Sequence, residues 1–124
     1  MNPGDKKHLS FVELHGKWME NMENYIKELQ QLDASARYLQ QCLHDLYLQE
    51  QLSDLRNRIL MQRSLISALR MEMAQLSHQM KQHDNVITVG DIMAHNKLRD
   101  KMLKAEQDVY MLKTIVHQLL SKAS

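Results

Sequence analysis

One cysteine, one proline, three glycines and one phenylalanine are all that this 124-residue chain holds of those residue types, and each scarcity excludes something. The lone Cys42 cannot close an intramolecular disulfide, which excludes the stapled scaffold of small secreted domains and favours a reducing compartment. So little Pro, Gly and aromatic volume leaves too few turns and too little bulk for a β-rich or compact α/β core. No run approaches the roughly eighteen apolar residues that span a bilayer, and the N-terminal stretch lacks the apolar segment of a secretory signal. A soluble intracellular protein, in cytoplasm or nucleus, is therefore expected. The formal net charge of +1 gives no reason to expect a general polyanion binder.

What is present is Leu, Met, Ile and Ala dispersed among Gln, Glu, Lys and Arg, a mixture suited to long helices. The apolar residues fall into seams. Met22, Tyr25, Leu29, Leu32, Ala36, Leu39, Leu43 and Leu46 are spaced by alternating steps of three and four, the a/d pattern of a heptad repeat. A second seam runs through Leu52, Leu55, Ile59, Gln62, Ile66, Leu69, Met73, Leu76 and Met80, with only Gln62 polar. A third runs through Leu98, Met102, Ala105, Val109, Leu112, Val116 and Leu119. No alternating strand pattern competes, so the fold class is all-α: a coiled-coil arm plus an antiparallel αα-hairpin, completed by partner helices.

The division along the chain follows from the breaks in these seams. Residues 1–9, with Pro3, Gly4 and the Lys6-Lys7 pair, read as a flexible leader. Ser10 and Glu13 have capping-box spacing, and Leu9 and Leu14 flank them as a hydrophobic staple, so the first helix is expected over 10–48. Gly16 weakens its first turns by about 1 kcal/mol relative to Ala. Leu46 and Leu55 lie nine residues apart, which moves the seam to nearly the opposite face. Leu48, Glu50 and Gln51 are good helix formers, and a second segment over 49–83, continuous with the first or gently bent, is expected. Residues 84–90 form a connector of β-branched residues ending in Gly90. A helix over 91–122, capped by Thr88 and Asp91, then packs back on 52–82.

Acidic residues dominate the first segment and basic ones the middle, from Arg56 to Lys104. Such a bias serves as solvated helix surface or sets partner orientation. Leu60, Met61, Leu65, Leu103, Tyr110, Met111, Ile115 and Leu120 lie off the seams, and stripes widened in this way imply more than one neighbour. The partner-binding set is accordingly Trp18, Met22, Tyr25, Leu29, Leu32, Leu39, Leu43, Leu46, Met61, Leu65, Tyr110, Met111 and Ile115. The ten methionines suit core filling or an adaptable interface.

Catalytic chemistry finds no support. The group His78, His83 and Asp84 lacks the spacing that aligns metal ligands on one helix face, and His95 and His117 read as polar interruptions of a seam. Cys42 has no basic neighbour in sequence to activate it. No phosphate loop or nucleophile arrangement is present. No catalytic residue, metal or cofactor is therefore expected. The basic stretch 97–104 is too sparse for a DNA-binding zipper. The expected function is a non-enzymatic scaffold subunit of a hetero-oligomeric complex, of the kinetochore, spindle, meiotic-chromosome or vesicle-tethering type, with partners that are other helical subunits. The alternatives are a homo-oligomeric coiled-coil adaptor and, less favoured because its basic stretch is sparse, a DNA-binding zipper-like protein.

Overall fold

The computed structural model describes residues 3–83 and 86–123, with side chains from Phe11 onward. Three helices account for nearly all of them: α1 (Pro3–Cys42), α2 (Leu46–Gln82) and α3 (Val89–Ala123). No strand occurs among the described residues, and the all-α expectation holds. Each helix is about 50 to 60 Å long at 1.5 Å per residue.

Cross-helix polar contacts set the directions. Arg56 donates to Asp33 at 2.9 Å and Arg70 to Glu23 at 3.0 Å, which runs α1 antiparallel to α2. Lys101 meets Glu72 at 3.2 Å and His83 meets Asp91 at 2.9 Å, which runs α3 antiparallel to α2. The Tyr25 hydroxyl donates to Glu106 at 2.9 Å and ties α1 to α3. Burial, the Glu106 hydrogen bond and the charges of Glu106 and Glu28 together push the Tyr25 phenol up to about 12.

All three seams enter one core. Met22, Leu29, Ala36 and Leu39 of α1, Ile59, Ile66, Met73 and Met80 of α2, and Val109, Leu112 and Val116 of α3 are buried together. Every pair of helices is in contact. Burying a side chain of this size contributes roughly 1.5–3 kcal/mol, so the shared core is the dominant stabilising term. The hairpin of α2 and α3 is as expected, whereas α1 is the third helix of a bundle and not an arm projecting past it. The physical reason is plain: a heptad seam needs a mate, and the nearest mate is the chain's own hairpin.

Two boundaries differ from the sequence reading. The backbone is helical from Pro3 and not from Ser10, since Pro costs no hydrogen bond in a first turn. The proposed capping box and staple involve Leu9 and Ser10, whose side chains lie outside the described residues. The helix expected to continue through 49–53 instead stops at Cys42, and a new one starts at Leu46. Asp45, with extended backbone, caps that start by accepting from the amides of Tyr47 and Leu48 at 2.8 and 3.2 Å. The Gln49 side-chain amide reaches back to the carbonyls of Gln40, at 2.7 Å, and Leu43. Orphan groups at both ends of the break are thus satisfied within a few residues.

At the second connection α3 starts at Val89, two residues before the expected 91, so Gly90 lies inside the helix and not at the end of the connector. The Thr88 hydroxyl accepts from the Asp91 amide at 3.0 Å while the Asp91 carboxylate accepts from the Thr88 amide at 3.1 Å, a reciprocal capping box at the start of α3. Burial raises the Asp91 carboxyl, but hydrogen bonds from Thr88 and His83 and the His83 charge outweigh it and hold the group below its ordinary range. Asn85 and Asp84 lie outside the described residues.

Candidate docking surface and a buried histidine pair

With the three seams closed on one another, the informative surface is what α2 and α3 still expose. Asp54, Arg58, Met61, Leu65, Ala68 and Glu72 advance along α2 in alternating steps of four and three, and so do Lys97, Lys101, Lys104, Asp108, Met111 and Ile115 along α3. Each set lies on one helix face. Both helices therefore carry a second heptad stripe beside the buried one.

The two stripes border the same side of the hairpin. Leu65, Ala68 and Glu72 share a groove of about 310 Å3 with Lys101, Lys104 and Ala105. Arg58 and Asp54 share one of about 280 Å3 with Ile115 and Leu119. Met61 is 67% exposed, Leu65 58% and Met111 54%. The groove is apolar in its middle, with a Lys101–Glu72 pair bridging it towards the α2–α3 turn. The Lys104–Asp108 pair on α3 lies along the same border.

The residues expected to bind partners separate into two groups. Trp18, Met22, Leu29, Leu32 and Leu39 are buried in the chain's own core, while Tyr25 and Leu43 are half-buried and packed against it. These seven are occupied by intramolecular contacts. Met61, Leu65 and Met111 are free of the core, Ile115 is half-buried at the groove edge, and Tyr110, 72% exposed, faces outward from α3. Leu46, 83% exposed, stands with Tyr47 at the α1–α2 turn, near the exposed Cys42.

The polar feature that sequence reasoning missed is at the opposite end. His15 on α1 and His95 on α3 are both buried, and His15 Nε2 lies 2.7 Å from His95 Nδ1. The His95 ring is stacked on Phe11 and on Trp18, with centroids 4.4 and 4.8 Å apart. Reading His95 as a satisfied interruption of its seam agrees with this, but its partner is eighty residues away in sequence, and no local spacing announces it.

Among the described residues no group of three or more His, Cys, Asp and Glu side chains could hold a metal ion. His78 pairs with Gln82 and His83 with Asp91. No helix among the described residues is long and apolar enough to cross a membrane. No protein-family model, curated protein or solved structure matches this chain.

Proposed function

We propose that this chain is a non-enzymatic helical subunit of a hetero-oligomeric intracellular complex, of the kinetochore, spindle, meiotic-chromosome or vesicle-tethering kind, and that partner helices dock along the outer stripes of α2 and α3. The observation that carries this reading is the second heptad stripe with exposed Met61, Leu65 and Met111. A lone three-helix bundle has no use for it, and a fourth helix laid in the groove would bury it. Methionines at two of these positions suit a surface that adapts to the helix it receives.

The test is a double substitution, Leu65→Glu with Met111→Glu. Both positions are exposed, so the unfolding free energy is expected to stay within the range of neutral surface changes, about 0.5 kcal/mol, while partners recovered with the native chain are lost. Undiminished recovery would contradict the reading. Homo-oligomerisation has one observation in its favour: the groove carries both signs of charge, and its Lys101–Glu72 and Lys104–Asp108 pairs can be exchanged between two copies. Sedimentation of the purified chain separates the two, since a monomeric mass leaves only the hetero-oligomeric form.

A further inference from the structure

His15 on α1 and His95 on α3 meet at 2.7 Å, and the chemistry of that contact penalises the uptake of a proton. An imidazole pair at 2.7 Å needs one N–H and one lone pair facing each other. His15 Nδ1 is buried and has no hydrogen-bond partner among the described residues. The tautomer that costs least therefore has His15 Nε2–H donating to His95 Nδ1, leaving a bare lone pair at His15 Nδ1. A proton added to His15 creates a buried N–H with no acceptor. A proton added to His95 Nδ1 sets two N–H groups head to head, unless His15 changes tautomer and buries the same orphan donor. Either route is penalised by a desolvated, unsatisfied donor.

The charged groups near the pair oppose its charging, are engaged elsewhere or stand in solvent. On α1, Glu13 and Lys17 are exposed. On α3, Arg99 follows His95 by one turn and opposes its charging, and Asp91 directs its carboxylate to Thr88 and His83. The last turns of α2, antiparallel to α1, contribute buried Met73, Leu76, Ser77 and Met80, with His78 and Lys81 exposed. Phe11 and Trp18 close over the pair.

We propose that the His15–His95 pair is an acid-labile latch: protonation frees residues 11–22 of α1 from the hairpin. Burial first, and His95 second, lower His15 from 6.5 to about 4; burial and Arg99 lower His95 as well. With packed values below the free one, the latch holds fully above pH 6.5 and is lost as pH falls towards about 4. Across that window one ring lowered to about 4 makes the opening equilibrium grow by about 80-fold.

Trp18 is the chain's one tryptophan and lies against the pair, so its emission reads the latch directly. The full chain is titrated from about pH 7.5 to 4.5, with Trp18 emission and amide exchange followed together. The expected result is a red-shifted Trp18 and faster exchange at 11–22, while 25–42 and the hairpin stay protected. His15→Phe and His95→Gln are each expected to reduce the acid response at least about tenfold, since each removes a titrating ring; the second also keeps an acceptor for His15. An unchanged Trp18 over this range, loss of protection in all three helices at once, or an acid response undiminished in either folded variant would overturn the proposal.

Discussion

Asp45 and Thr88 decide where two of the three helices begin. Each supplies an oxygen to amides that the helix leaves unpaired, and removing it by Asp45→Ala or Thr88→Ala is expected to cost about 1 kcal/mol in chemical denaturation. Asp91 adds a pH dependence. Its carboxyl is held below the ordinary range, so its contribution is present above the unfolded carboxylate value and is lost as pH falls through the lower folded one. Asp91→Asn should flatten that acid limb of the stability curve. Leu39, fully buried, belongs to the core, and Leu39→Ala is expected to destabilise the whole bundle by about 2–5 kcal/mol. The Thr88–Asp91 cap was legible because both residues precede a clear seam. Asp45 was not, because Leu46 sits at heptad spacing from Leu43 and Leu39 and so disguises the break; in the structure Leu46 points into solvent.

The same distinction holds for the elements. Apart from Ser77, the seams of α2 and α3 predict the buried residues from Leu52 to Met80 and from Leu98 to Val116, because a 3.5-residue repeat fixes a face regardless of what covers it. The seam of α1 marks its buried face as clearly, but its mate is the chain's own hairpin. The nine-residue step between Leu46 and Leu55 recorded a reversal of the chain; a straight helix changing neighbours would leave the same mark. Gly16 is the weak point of α1: it is helical and exposed, and a Cβ added there meets nothing within 4 Å. Gly16→Ala should therefore raise stability by about 0.5–1 kcal/mol in thermal melting. Since the His15 latch lies beside it, the same substitution should slow amide exchange at 11–22 more than elsewhere.

For the whole molecule, the seams that would have made the chain dependent on a partner are satisfied inside it, and what remains for others is narrower. Heptads announce that helices meet and say little about which ones, so the division between core and docking surface could not be drawn from one sequence. The off-seam residues carried the usable signal, since Met61, Leu65, Tyr110 and Met111 are all exposed. We propose that partners engage the outer stripes of α2 and α3 on a bundle that is already folded. It is tested most directly by placing a photo-cross-linking residue at Leu65, at Met111 and, as a control, at Gln31 on the exposed face of α1 in otherwise native chains inside cells. Discrete adducts at Leu65 and Met111 that are absent at Gln31 are the predicted result; equal labelling at all three positions, or adducts at Gln31 alone, would contradict it.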